Sequence, residues 1–158
     1  MKVKIKSLFL IFCLLFCLVG CSSYATGEAL TTDSFSTIVY ENVDNVEIKN
    51  VLDDFKDTKG VTTAIGLSES GYIVQLVVFD SMAEAKDFAN SSGVMLESAS
   101  KQLKDKKSVS NGNFYKFELE TEDSYYLITC VDNTVLYING TTNNIDFLKD
   151  LSKELGYY

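Results

Sequence analysis

The chain has 158 residues, enough for one domain with a buried core, and its 14 basic residues are all lysine against 22 acidic ones, for a net charge of −8. An acidic chain without arginine is a poor match for nucleic acid, whose phosphates are bound through Lys and Arg. The absence of histidine removes the commonest general base and metal ligand, and with it Ser-His-Asp, Cys-His and His-containing zinc arrangements.

The first stretch is the most informative. Lys2, Lys4 and Lys6 form a basic start, and Leu8 to Val19 is an unbroken apolar run. That run suits the h-region of a secretory signal peptide and is short for a membrane-spanning helix, which needs about 17–25 apolar residues. Leu18-Val19-Gly20-Cys21 closes it, a small residue immediately before a cysteine. This ending resembles the lipobox of bacterial lipoproteins. The resemblance implies a diacylglyceryl group on the Cys21 sulfur and cleavage between Gly20 and Cys21. Two acyl chains hold stably to a bilayer where one is marginal. The expected division is a signal peptide over 1–20, a lipidated Cys21 with a flexible tether over 21–30, and a single domain over 31–158. The expected place is the outer, extracytoplasmic face of the cell membrane, held through the lipid on Cys21.

Lys2, Lys4 and Lys6 precede Cys21 and every acidic residue follows it, so the side chains after it sum to −11. Such a surface does not dock on anionic lipid by charge. With Cys13 and Cys17 in the leader and Cys21 lipidated, Cys130 has no disulfide partner and reads as a small buried hydrophobe.

Downstream, Thr31 to Asp33 offer N-caps to a helix over Asp33–Asn42, with Phe35, Ile38 and Val39 on one face. Residues 44–59 are ambiguous: Val46 and Ile48 alternate like a short strand, and Val51, Leu52 and Phe55 space like a helical turn. Val61–Leu67 and Tyr72–Phe79 flank Ser68-Glu69-Ser70-Gly71 and predict a β-hairpin. The second run is apolar on both faces, the pattern of a central strand covered on both sides. Ser81 and Glu84 form a capping box for a long helix whose apolar positions extend to Leu103, with Lys101, Lys104, Lys106 and Lys107 in its last turns and a break or kink at Gly93. A polar loop over Ser108–Asn113 leads to three β-rich runs, Phe114–Glu120, Tyr125–Val131 and Thr134–Asn139, which predict an antiparallel meander. Asn143 or Asn144 then caps a last helix bearing Ile145, Leu148, Leu151 and Leu155, with Gly156 at its C′ position.

The expected fold class is therefore α+β: an antiparallel sheet of about five strands, hairpin plus three-strand meander, packed against two to three helices. The Asp80-Ser81…Phe88 helix start, the Asn133–Tyr137 strand and the Leu155-Gly156-Tyr157 ending are similar to those of small uncharacterised lipoproteins of low-GC Gram-positive bacteria, a group that implies no particular functional residues.

Candidates for chemistry are few. Asp53, Asp54 and Asp57 lack the alternating layout of a calcium loop. No glycine-rich phosphate loop is present, and no cofactor is expected. Glu118, Glu120 and Glu122 alternate and read as a solvated acidic stripe, or as a docking strip for a cationic partner or weak Ca²⁺ site. Tyr115, Tyr125, Tyr126 and Tyr137 lie on the meander and suit half-buried strand positions, or an exposed recognition surface. The reading that follows is a non-enzymatic, membrane-anchored binding or interaction module of undetermined protein or small-molecule ligand. A small Asp/Glu-dependent hydrolase or metal-binding enzyme, and an accessory or sensor subunit of an envelope transporter, are the alternatives.

Overall fold

A computed structural model describes residues 27–158. The leader, the lipobox and Cys21 lie outside the described residues. The elements in order are α1 (Thr32–Asn42), β1 (Lys49–Asn50), a 3₁₀ turn (Leu52–Phe55), β2 (Val61–Glu69), β3 (Tyr72–Phe79), α2 (Met82–Ala99), β4 (Leu103–Asn111), β5 (Phe114–Thr121), β6 (Ser124–Val131), β7 (Thr134–Thr141), a second 3₁₀ turn (Thr142–Asn144) and α3 (Ile145–Glu154).

The strands form one sheet in the order β1-β2-β3-β7-β6-β5-β4, antiparallel throughout. The expectation of about five strands is thus corrected to seven. The main difference is Leu103–Asn111. Its lysines read as the last turns of a helix and its serines as a loop, but Ser100 turns to an extended conformation and β4 pairs along its length with β5. An edge strand with little helix cover needs no apolar alternation, so its sequence carries no period-2 signal. The second addition is β1, two residues long and one residue after the anticipated Val46–Ile48 stretch.

Strand alternation divides the core in two. Val74, Leu76, Leu127, Leu136 and Ile138 point to one face, where α1 contributes Phe35 and Val39 and α3 contributes Leu148, Leu151 and Leu155. Val77, Phe79, Phe117, Leu119, Ile128, Cys130 and Val135 point to the other, under Ala85 and Ala89 of α2. The double cover expected for β3 is observed.

Ser81 caps α2, its Oγ accepting from the Glu84 N–H at 3.3 Å and donating to Glu84 Oε2 at 3.2 Å. Gly93 does not break this helix. A Cβ there would stand 3.0 Å from Phe117 Cγ and from Tyr115 Oη, so its bare backbone allows α2 to lie close on β5. Asn144 precedes α3 but makes no capping bond, its amide bonding Gly71 O and Thr141 Oγ1 instead. The far end of α3 closes as a Schellman turn: Gly156 has φ +74°, its N–H reaches Lys153 O at 2.9 Å, and the Tyr157 N–H reaches Ser152 O at 2.9 Å. That turn buries Tyr157 and sets Tyr158 over the outer strands. No described helix is long and apolar enough to cross a membrane.

Candidate functional site

Along β5, Phe114 belongs to the α1/α3 core, whereas Tyr115, Phe117 and Leu119 belong to the α2 core. Lys116, Glu118 and Glu120 therefore share the face of Phe114. Glu118 is only 5% exposed, so it is not part of a solvated acidic stripe. Its Oε1 accepts from the Tyr125 hydroxyl at 3.3 Å and the Tyr158 hydroxyl at 3.3 Å, and lies 3.2 Å from Lys149 Nζ of α3. Its Oε2 faces Lys116 Nζ at 3.3 Å, without an aligned hydrogen bond among the described residues. Two aromatic rings complete the enclosure. Lys116 Nζ sits 3.4 Å from the centroid of the Tyr158 ring, and Lys149 Nζ 5.3 Å from that of Tyr125. The Lys153 ammonium approaches the Tyr158 ring from outside at 5.4 Å.

These groups converge because the strand order brings β5 beside β6, and because the Schellman turn directs Tyr157 and Tyr158 back across the sheet. Lys107 of the edge strand stands opposite Glu118 in register, and Thr129 of β6 stands opposite Lys116. Thr129 Oγ1 is fully buried and, like Glu118 Oε2, has no hydrogen-bond partner among the described residues.

The electrostatics follow from this packing. Burial acts to raise the Glu118 carboxyl, but attraction from Lys116 and Lys149 outweighs it and holds the group below the ordinary glutamate value. For Lys116, burial beside the ring is the larger effect and pulls the ammonium below the usual lysine range despite Glu118. The Tyr125 hydroxyl is pushed far up, by burial first and by the Glu118 charge second. The cluster thus holds one ionised carboxylate between two half-buried ammonium groups. Among the described residues, no group of three or more His, Cys, Asp or Glu is placed to hold a metal ion.

Of the residues singled out in the sequence, Glu118 and Tyr125 meet here. Glu120 shares their face, partly exposed and opposite Tyr125 in register. Tyr115 is buried against α2, and Tyr126 and Tyr137 are partly buried beside the same core, so the meander tyrosines form no joint exposed surface. Lys116, Lys149, Thr129 and Tyr158 were not legible as site residues. Only Lys116 left a trace, as the i−2 neighbour of Glu118 on one strand face. Cys130 is fully buried, and burial pushes its thiol up to about 11.

No family model and no curated protein matches the sequence. Among solved structures, the fold is similar to that of a GTP binding regulator from Thermotoga maritima, at TM-score 0.50 and 15% identity over 81% of this chain and 89% of that one. A second similar structure is the extracellular domain of PknH from Mycobacterium tuberculosis, at TM-score 0.38 and 14% identity over 79% and 89% of the two chains. What the chain shares with the Thermotoga protein is the fold.

Proposed function

We propose that this chain is a membrane-anchored extracytoplasmic lipoprotein whose domain is a non-enzymatic binding module. The pattern of Lys2, Lys4 and Lys6, then Leu8–Val19, then Gly20-Cys21 supports the anchor, through a lipid on Cys21. The observation that carries the binding reading is the Glu118 cluster. On a sheet face otherwise packed with the apolar side chains of α1 and α3, Lys116, Glu118, Tyr125, Lys149 and Tyr158 gather polar groups at one place. Buried ion pairs add little net stability compared with well-packed apolar residues. Thr129 Oγ1, buried on the same sheet face and opposite Lys116 in register, has no hydrogen-bond partner among the described residues and adds a group suited to an outside partner. The Thermotoga protein of similar fold is a GTP binding regulator, which agrees with a binding role.

Two measurements test this. Metabolic labelling with a fatty-acid analogue should mark the wild-type chain and not Cys21→Ala; label surviving in the variant refutes the anchor. The full-length protein in detergent should unfold at a higher temperature in the presence of at least one envelope fraction, as ligand linkage requires. A midpoint unmoved by any fraction refutes the binding role.

A further inference from the structure

We infer that Gly27–Leu30 is a strut docked on the domain, which turns one end of the sheet, the end at Asp80 and Asp132, towards the bilayer surface; this rests on the lipid anchor at Cys21 proposed above. Three observations carry it.

The first is the docking. The Leu30 N–H donates to Tyr157 Oη at 3.1 Å, and the Leu30 side chain packs against the core between α1 and α3. Gly27 lies close on the turn after α3, where a Cβ would stand 3.0 Å from Gly156 O. Thr31 then caps α1 at once, its Oγ1 accepting from the Ser34 N–H at 3.1 Å. The chain therefore enters the first helix from Gly27 without slack.

The second is where the strut sits. Tyr157 Oη, which holds Leu30, also bonds Thr134 Oγ1. Thr134 pairs with Val131 and with Val78, and Val131 pairs with Phe114, so all of these mark one end of the strands. Tyr72, Gly140, Tyr125 and Glu120 pair across the other end. The eight residues of β3 put about 27 Å between the two ends.

The third is length. Six residue steps lead from Cys21 to Gly27. However they are arranged, they span at most about 22 Å. A domain of this size is about 36 Å across. With Gly27 on the side away from the bilayer, the lipid on Cys21 would fall short of it. Were the chain free as far as Thr31, ten steps could span about 36 Å, and either end could face the membrane. The docking of Gly27–Leu30 is thus what fixes the orientation. Charge does not supply it: the turns at the near end, Asp80-Ser81, Asn111–Asn113 and Asp132-Asn133, carry no lysine to attract anionic lipid.

The test is energy transfer in the full-length lipoprotein, reconstituted in phosphatidylcholine vesicles with a short-range acceptor dye on the lipid headgroups. The donor dye is carried by Asp80→Cys at the near end or Ser70→Cys at the far end, both exposed positions, while the buried Cys130 stays unlabelled. Transfer from the Asp80→Cys label should exceed that from the Ser70→Cys label several-fold. Inserting about twenty Gly/Ser residues after Ser23 lengthens the maximum reach to about 90 Å and should abolish the difference. A second pair, Asn111→Cys and Asp123→Cys, repeats the comparison should either first variant fail to fold. Equal transfer from the two ends, greater transfer from the far end, a difference that survives the insertion, or one that appears only with anionic lipid overturns the inference. If the wild-type chain floats with the vesicles and the ends transfer equally, the anchor stands and the orientation falls; if it does not float with them, both fall.

Discussion

Gly93→Ala sets two effects of similar size against each other. Gly93 lies inside the 18-residue helix α2, where alanine is favoured by about 0.8–1 kcal/mol on propensity alone. The added Cβ would, however, meet Phe117 Cδ2 and Cγ and Tyr115 Oη at 3.0 Å each. Neither ring has room to retreat. Both side chains are under one-tenth exposed and project from β5, which is paired on one side with β4 and on the other with β6. Overpacking of this kind costs about 1–3 kcal/mol. Net destabilisation of about 1 kcal/mol follows, with Gly93→Val worse than Gly93→Ala. Urea unfolding should show a lower midpoint at unchanged slope. A Gly93→Ala protein more stable than wild type by about 1 kcal/mol would mean that α2 does not lie on β5 as described.

Tyr157 joins distant parts of the chain: the Leu30 N–H donates to its hydroxyl at 3.1 Å, that hydroxyl bonds Thr134 Oγ1, and Thr134 Oγ1 donates to Val131 O at 2.8 Å. Tyr157→Phe should cost about 1–3 kcal/mol in urea unfolding and speed hydrogen exchange at Leu30; exchange at Leu30 equal to wild type would contradict the link. Glu118 has a lowered carboxyl pKa in the folded state. Its stabilising contribution is therefore fully present above the unfolded glutamate value of about 4.3 and is lost as pH falls through the folded value. The gap in urea midpoint between wild type and Glu118→Gln should narrow between about pH 7 and pH 3, and a gap that widens on acidification is the contrary result. Cys130, fully buried with its thiol pushed up to about 11, should resist alkylation at neutral pH until the protein unfolds, as read by mass spectrometry of its peptide.

Much of the fold was legible because most elements announce themselves locally. The Ser81–Glu84 box, the hairpin around Gly71, the three meander strands and Gly156 after α3 all rest on interactions within a few residues. β4 was hidden because an edge strand lacks the two-residue period that burial imposes, and its lysines imitate a helix end. The site was hidden for a different reason. Alternation places Glu118 and Glu120 on one face of β5, but whether that face meets water depends on what covers it. The cover comes from Lys149 and Tyr158, over thirty residues later, through the β5-β6-β7 order and the turn at Gly156. The tyrosines divide for the same reason: adjacent Tyr125 and Tyr126 face opposite cores.

The central claim is that the charged cluster serves a ligand and not stability. It is tested most directly by the urea midpoint, measured with and without an envelope fraction that stabilises the wild type, of a variant carrying Lys116→Met, Glu118→Leu, Tyr125→Phe and Lys149→Met. Apolar replacement of a whole buried ion cluster is typically neutral or stabilising by about 1–4 kcal/mol. The predicted result is a midpoint at or above that of wild type which the fraction no longer raises, while the fraction does raise the wild-type midpoint. A variant several kcal/mol less stable than wild type, or one whose midpoint the fraction still raises as much, contradicts the account.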